Sequence, residues 1–342
     1  MTLIERYSRR IGEHIAQVDY PAAPHNLYDP IRYTMEDGGK RLRPLFTLMA
    51  CGLWRDEVAD KSTKPADGST DETSNKVTEA LPAAAAIELF HNFTLLHDDI
   101  MDNAPLRRGR PTVHAKWGEN VAILSGDSMT VYAYRELART AATHLPAVLG
   151  YFNEAAVKVC EGQQLDMDFE GRDDVSVADH LTMIELKTAA LFVGAVSMGA
   201  VVGGASSADV ALLREFALQF GVAFQMQDDL LDSYGDARLG KTVGGDILEG
   251  KKTFLKMTAM EAASSDDRAA LEMTHKDLRY SPEEKIARVL ALYDRYGVRA
   301  AVEEEISCRF ALAALALDAL SAPRQRVDEF KAFALSLLNR TK

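Results

Sequence analysis

Three observations predict an all-α fold for this chain. Apolar residues recur with helical spacing in the clearest stretches, LPAAAAIELFHNFTLLHDD and VALLREFALQFGVAFQMQDDLLD. Alternating strand-like segments bounded by turn pairs are scarce. With 342 residues and 47% hydrophobic content, the chain can bury a sizeable core. We therefore expect one large helical domain over residues 1–342.

One stretch departs from the helical pattern. Residues 56–76, DEVADKSTKPADGSTDETSNK, are rich in Ser, Thr, Asp and Lys and have no apolar period. Such a composition cannot bury enough apolar surface to become ordered on its own. We predict a polar, flexible insertion that connects two helices, and we assign no function to it.

The overall charge and the cysteines limit the classes of partner and the compartment. The chain carries 39 Lys and Arg against 51 Asp and Glu, a net charge of −12, which argues against nucleic acid or an anionic membrane surface as partner. Three widely separated cysteines, Cys51, Cys160 and Cys308, predict reduced, buried thiols and no disulfide framework. No signal-peptide pattern and no apolar run of about 18 residues is found, so we expect a cytoplasmic protein without stable membrane insertion.

Two copies of one acidic pattern are the most informative feature. Asp98-Asp99-Ile-Met-Asp102 (the first acidic motif) and Asp228-Asp229-Leu-Leu-Asp232 (the second acidic motif) each follow an apolar helical run. Helical residues four apart share a face, so the outer carboxylates of each motif form a pair suited to Mg²⁺, which readily shares phosphate oxygens. A single such triplet is often only a solvated helix end. Its duplication after apolar runs, where charge is costly, favours a metal site that handles diphosphate.

Basic residues cluster locally in spite of the acidic balance. The segment Gly38–Pro44, GGKRLRP, places three cations beside two glycines, and LRRGRP at 106–111 places three more just after the first acidic motif. Arginine matches phosphate oxygens in a bidentate manner, and lysine acts as a compact point charge. A basic cluster alone is usually solvated surface. Beside a metal site, it predicts a second site for an anion.

These motifs resemble those of the trans-isoprenyl diphosphate synthases, also called polyprenyl synthetases. Six motifs appear in the family's order through nearly the whole chain: GGKRLRP, HNFTLLHDDIMD with RRGRPTVH, GQQLD at 162–166, Lys187-Thr188, FQMQDDLLD and GKTVGGDILEGKKT. The resemblance implies a helical bundle around a central cavity. It also implies head-to-tail condensation of isopentenyl diphosphate with an allylic diphosphate (dimethylallyl, geranyl or farnesyl). Mg²⁺ would assist ionisation of the allylic carbon–oxygen bond, with three ions present when substrate is bound.

The resemblance assigns roles residue by residue. Direct metal ligands would be Asp98, Asp102 and Asp228. Carboxylates that orient these ligands would be Asp99, Asp229 and Asp232. The cations that hold the allylic diphosphate would be Arg107, Lys187 and Lys241. The isopentenyl diphosphate site would comprise Lys40, Arg43, His91 and Arg108. Neutral oxygens facing the carbocation would belong to Thr188 and Gln225. Further matches are Lys251, which fits the substrate-binding pattern, and Gln163, Asp166, Asp127 and Asp246, for which supporting hydrogen bonds are an equal explanation.

Two other classes of protein share part of this pattern. A class I terpene cyclase also uses a DDxxD motif, but resembles a different pattern of Asn, Ser and Glu ligands at its second metal site. A non-catalytic subunit of a heteromeric synthase typically has eroded acidic motifs. Here both motifs and GGKRLRP are intact. This favours the condensing enzyme.

Product length depends on the helix that precedes the first acidic motif. Phe93 lies five residues before Asp98, about 7.5 Å along a helix axis, and Phe90 lies one turn further back. Either phenylalanine could also be an ordinary core residue. The first motif lacks the two-residue insertion of typical bacterial farnesyl synthases, and Thr94 replaces the second aromatic residue of animal farnesyl synthases. An aromatic residue at position 93 without the insertion resembles archaeal-type geranylgeranyl synthases. We expect a C20 product, with C15 as the alternative, and a homodimer, which is usual in this family.

Overall fold

The computed structural model describes residues 1–36, 39–55, 77–235 and 243–338. The predicted insertion at 56–76 and Lys241 lie outside these residues. The described helices are α1 Leu3–Ala16, α2 His25–Glu36, α3 Leu42–Gly52, α4 Leu81–Met101, α5 Val113–Trp117, α6 Glu119–Leu137, α7 Leu145–Glu170, α8 Val177–Ile184, α9 Ala190–Gly203, α10 Ser207–Tyr234, α11 Gly245–Glu249, α12 Phe254–Ala262, α13 Ser265–Met273, α14 Pro282–Arg295, α15 Val298–Asp318 and α16 Arg324–Ser336. A π-helical turn, Glu185–Ala189, follows α8, and short 3₁₀ turns cover Val77–Ala80 and Thr274–Lys276.

Strand structure within the described ranges is confined to one small hairpin. β1, Leu106–Arg107, pairs antiparallel with β2, Arg110–Pro111. The loop residues Arg108 and Gly109 both have positive φ, 54° and 76°, as a tight two-residue hairpin turn requires. The all-α fold predicted from the sequence is confirmed.

The chain divides into two compact units. Unit 1 comprises 1–156, 191–214 and 320–330, and unit 2 comprises 157–190, 215–319 and 331–342. The single domain over 1–342 stays a prediction.

In unit 1, helix α4 packs against α3 and α6. It begins with Pro82 in its first turn, a position that needs no main-chain N–H, and continues through four buried alanines at 83–86. Close contact also joins α9 to α3, because a Cβ added at Gly199 would lie only 2.0 Å from the Thr47 carbonyl oxygen. Small residues therefore let these helices approach closely around the segment that carries the first acidic motif.

In unit 2, helix α12 packs against α8, α14 and α15. The centre of this core contains fully buried side chains from several elements, among them Met226, Leu255 and Val302. Met226 lies two residues before the second acidic motif. The motif therefore continues directly from a packed apolar helix.

Two sequence expectations concerning exposure can be compared with the structure. Cys51 is buried, as predicted, but Cys160 and Cys308 are exposed, so the prediction of three buried thiols was wrong. Both exposed cysteines occupy solvent-facing positions of α7 and α15, a placement that residue type alone does not reveal. One continuous helical stretch, 177–203, is long and apolar enough to cross a bilayer, and 72% of its most apolar window is buried in the folded chain. Core helices have the same property.

Candidate active site

The first acidic motif ends helix α4. Asp98 lies in the last turn, and Asp102 is the C-terminal cap, whose N–H donates to the Asp98 carbonyl oxygen at 2.9 Å. Asp102 is exposed and Asp98 is half-buried. Two carboxylates one turn apart at a helix end fit Mg²⁺, which takes few protein carboxylates and completes its shell with water and phosphate oxygens.

The Asp99 side chain pairs with an arginine. It is buried and accepts a 2.6 Å hydrogen bond from Arg107 Nε, while Arg107 Nη2 donates to Asp98 Oδ2 at 3.2 Å. Burial raises the pKa of Asp99, and the Arg107 charge opposes this shift. Arg107 lies on β1, so the hairpin brings its guanidinium to the end of α4. Asp99 thus anchors a cation that reaches the neighbouring Asp98 carboxylate.

The two basic motifs lie side by side in unit 1. A Cβ at Gly39 would lie 2.8 Å from Arg108 Nη1, so the Arg108 guanidinium contacts the main chain of GGKRLRP. Lys40 is the next residue after Gly39 and is exposed.

Arg43 and His91 form the inner part of this basic cluster. Arg43 Nη1 donates to His91 Nε2 at 3.0 Å, and its guanidinium carbon lies 4.6 Å from the centroid of the Phe192 ring. Burial and the charges of Arg43, Arg108 and Arg107 hold the pKa of His91 well below its usual range. The imidazole is therefore neutral near pH 7 and can accept the Arg43 hydrogen bond. Three predicted residues, Arg43, His91 and Arg108, thus belong to one cationic patch, and Lys40 directly follows Gly39, which Arg108 contacts.

A buried carboxylate near this patch was not predicted. Glu88 is 6% exposed, and Asn92 Nδ2 donates to its Oε1 at 3.2 Å. Burial raises the pKa of Glu88, while the charge of Arg43 is the largest opposing influence. The sequence signal for Glu88 is an acidic residue within the apolar stretch AAAAIELF.

The second acidic motif lies near the end of α10 in unit 2. Asp229 is buried and accepts a 2.8 Å hydrogen bond from Gln225 Nε2. Burial, together with the charges of Asp246 and Asp228, raises the pKa of Asp229 to about 7. Asp232 accepts at Oδ2 from the Asp246 N–H at 3.0 Å, which fixes the start of α11. Asp228 is half-buried.

Thr188 and Lys187 lie in the π-helical turn after α8. Thr188 Oγ1 donates to Gln225 Oε1 at 3.1 Å, which extends the chain of hydrogen bonds from Asp229 through Gln225. Lys187 Nζ donates to Asp166 Oδ2 at 2.6 Å. The predicted Lys187, Thr188, Gln225 and Asp166 are therefore brought together in unit 2.

Other matched residues have more peripheral surroundings. Lys251 is exposed and lies 3.1 Å from Glu249, and Asp127 is exposed at 3.9 Å from His97. Gln163 is half-buried on α7. The part of the chain that is described contains no group of three or more His, Cys, Asp or Glu side chains arranged to hold a metal by themselves.

The aromatic residues proposed to limit product length form a cluster on α4. The rings of Phe90 and Phe93 have centroids 5.3 Å apart, and Phe90 lies 5.3 Å from Phe152. Phe93 also contacts His97, with ring centroids 4.7 Å apart. Phe90 is buried, whereas Phe93 is half-buried.

Comparison with known proteins identifies the family. The polyprenyl synthetase family model matches residues 24–293. A short chain isoprenyl diphosphate synthase of Methanothermobacter thermautotrophicus is 36% identical over 87% of this chain and 85% of its own length, and a geranylgeranyl diphosphate synthase of Methanosarcina mazei is 37% identical over 82% and 84%. A crystal structure of a geranylgeranyl pyrophosphate synthase superposes with a TM-score of 0.88 at 36% identity, covering 100% of both chains. The predicted resemblance is confirmed, and the chain belongs to the polyprenyl synthetase family of prenyltransferases.

Proposed function

We propose that this chain is a geranylgeranyl diphosphate synthase that adds isopentenyl diphosphate to dimethylallyl, geranyl and farnesyl diphosphate. The observation that carries the proposal is the cationic patch of unit 1, formed by Arg43, His91 and Arg108. His91 lies on α4, the helix that ends in the first acidic motif. An enzyme that only ionises an allylic diphosphate needs no second diphosphate site. A dedicated anion site therefore favours a condensing enzyme over a terpene cyclase.

Metal binding is assigned to Asp98, Asp102 and Asp228. Bound Mg²⁺, which we expect as three ions with substrate, would neutralise the charge of the leaving diphosphate. Asp99 orients this site by holding Arg107, while Asp229 and Asp232 are held by Gln225 and by the main chain of Asp246. Of the assigned ligands, Asp98 is itself held in place by the hydrogen bond from Arg107 Nη2, and such outer partners strengthen metal binding.

The two diphosphates would be held by different sets of side chains. Isopentenyl diphosphate would bind Lys40, Arg43, His91 and Arg108. The allylic diphosphate would bind Arg107, Lys187 and Lys241, with Lys251 as a further cation. Neutral His91 adds a polar contact without adding charge, which limits repulsion among its arginine neighbours.

The developing carbocation would be stabilised by dipoles of Thr188 and Gln225. Their mutual hydrogen bond at 3.1 Å and the bond from Gln225 to Asp229 fix both side chains before substrate arrives. Preorganised dipoles need no rearrangement when charge develops, and neither group is a strong nucleophile that would trap the cation.

The C20 product is assigned from the aromatic cluster and from the relatives. Phe93 is half-buried in front of the buried Phe90, which suits a floor against which the growing chain stops. The name of the Methanosarcina mazei relative states a geranylgeranyl product. The enzyme is further proposed to be cytoplasmic and homodimeric.

Product analysis tests the function directly. Labelled isopentenyl diphosphate is incubated with Mg²⁺ and each allylic diphosphate, and the dephosphorylated products are separated by chromatography. We expect geranylgeranyl diphosphate from all three primers. Farnesyl diphosphate as the end product would establish the C15 alternative. Absence of any condensation would favour a cyclase or a non-catalytic subunit.

A further inference from the structure

The π-helical turn Glu185–Ala189 carries two of the proposed allylic-site residues. A π turn is wider than an α-helical turn and occurs mostly as a single turn at functional sites. Here it presents Lys187 and Thr188 between α8 and α9. Because a π turn is intrinsically less stable than an α-helical turn, contacts with neighbouring segments must hold it in place.

Gly162 on α7 makes the closest approach to this turn. A Cβ built at Gly162 would lie 2.2 Å from the Lys187 nitrogen and 2.6 Å from Lys187 Cα. These are main-chain atoms, which cannot rotate away as the end of a flexible side chain can. An ordinary contact begins at 3.4 Å, so any side chain here must separate the two segments by at least about 1.2 Å, the difference between 3.4 and 2.2 Å.

One turn further along α7, Asp166 fixes the Lys187 side chain. It accepts from Lys187 Nζ at 2.6 Å. Since Gly162 and Asp166 are four residues apart, they lie on the same face of α7. On this face, Gly162 therefore contacts the main chain of Lys187, and Asp166 binds its ammonium group.

A second support comes from Arg309 on α15. Arg309 Nη1 lies 3.9 Å from Glu185 Oε1, where the π turn begins, and Nε donates to Glu305 Oε1 at 2.8 Å. Nη1 also donates to Gln219 Oε1 on α10 at 3.1 Å. The Arg309 side chain is only 16% exposed, and the residue lies beyond the part of the chain matched by the family model.

We propose that Gly162 and Arg309 are positioning residues for the allylic site. Gly162 allows the α7 main chain to lie against the π turn, and Arg309 ties Glu185 to α10 and α15. Together they set where Lys187 and Thr188 stand. The inference rests on the proposed function, but neither residue touches substrate.

The first test compares two glycines of the same helix. Gly162→Ala should lower kcat/KM for farnesyl diphosphate about 100-fold, because a displacement of about 1 Å can cost this much. The KM for isopentenyl diphosphate should stay within about twofold. Gly150→Ala is the matched control, because nothing lies within 4 Å of a Cβ at Gly150. It should retain wild-type kinetics.

A double-mutant cycle separates positioning from general damage. If Gly162 acts through Lys187, the two substitutions should be non-additive, because the effects of coupled residues do not add. The double mutant Gly162→Ala/Lys187→Ala should then have an allylic kcat/KM less than about threefold below that of Lys187→Ala alone. Full additivity would overturn the proposal. An equal rise of both substrate KM values in Gly162→Ala would also overturn it.

Arg309 keeps the proposal testable if Gly162→Ala does not fold. Arg309→Gln should lower allylic kcat/KM about tenfold in folded protein, and Arg309→Lys should restore most of it. Arg299→Gln is the control on the same helix, where Arg299 pairs with Glu303 in an exposed position and should be silent. Wild-type allylic kinetics in Arg309→Gln would refute the role of Arg309. Failure of the proposed function would appear earlier, as absence of condensation by wild-type enzyme.

Discussion

Replacement of Phe93 by alanine should lengthen the product. Phe93 is half-buried, and the next ring on the same face of α4, Phe90, begins three residues back, about 4.5 Å along the axis. Removal of the Phe93 ring therefore opens about one helical turn of depth before Phe90 and Phe152 close the space. We expect growth by one isoprene unit, from C20 to C25, and further growth in Phe90→Ala/Phe93→Ala.

Stability must be measured alongside product length. Replacing a buried phenylalanine with alanine lowers the free energy of unfolding by about 3–5 kcal/mol. We expect this full range for buried Phe90 and its lower end for half-buried Phe93. Phe333→Ala, a buried phenylalanine on α16, controls for general loosening and should leave the product at C20. Products are separated by reversed-phase chromatography, and folding is checked by circular dichroism. An unchanged product from folded Phe93→Ala would refute Phe93 as the floor.

Three further predictions concern the substrates, pH and assembly. Arg43→Ala should chiefly raise the KM for isopentenyl diphosphate, whereas Lys187→Ala should weaken the allylic substrate and slow ionisation; identical steady-state profiles would contradict the assignment. His180 is buried, its ring nitrogens have no hydrogen-bond partner among the described residues, and burial lowers its pKa from 6.5 to about 4. At this residue the unfolded chain therefore binds more protons between these values, so His180 should lower the free energy of unfolding by roughly 3 kcal/mol as the pH drops from 7 to 4. Asp229, whose pKa is raised to about 7, acts in the opposite direction over this range. The difference in the free energy of unfolding between wild type and His180→Leu, measured in denaturant titrations, should therefore change by this amount between pH 7 and 4. Light scattering at micromolar concentration should report a dimer, and a monomer alone would contradict the proposed assembly.

The sequence predicted the helical class and the family because their signals are local. Helical apolar spacing precedes both acidic motifs, and α4 and α10 carry them as expected. The contact between Arg108 and Gly39 links motifs that are far apart in sequence, and only the family resemblance, which assigned residues of both motifs to one site, suggested it.

Other features could not be read from sequence because they depend on packing between distant segments. The π turn at Lys187 has no distinctive composition, and the requirement for glycine at position 162 arises from main-chain atoms 25 residues away. Likewise, Asp99 and Asp98 differ in burial and partner although they are adjacent carboxylates. The exposure of Cys160 follows from the outward face of α7, which residue type does not specify.

The most direct test of the account is the Mg²⁺-dependent turnover of Asp98→Asn and Asp228→Asn. Each substitution removes one carboxylate charge from a different acidic motif, and a loss of even a few kcal/mol of transition-state stabilisation lowers the rate about a hundredfold or more. Asp19→Asn, at an exposed carboxylate outside the motifs, is the control. Condensation of labelled isopentenyl diphosphate with farnesyl diphosphate should fall by several orders of magnitude in both motif variants and persist in the control. Wild-type turnover by either folded motif variant at saturating Mg²⁺ would contradict a mechanism that needs both motifs.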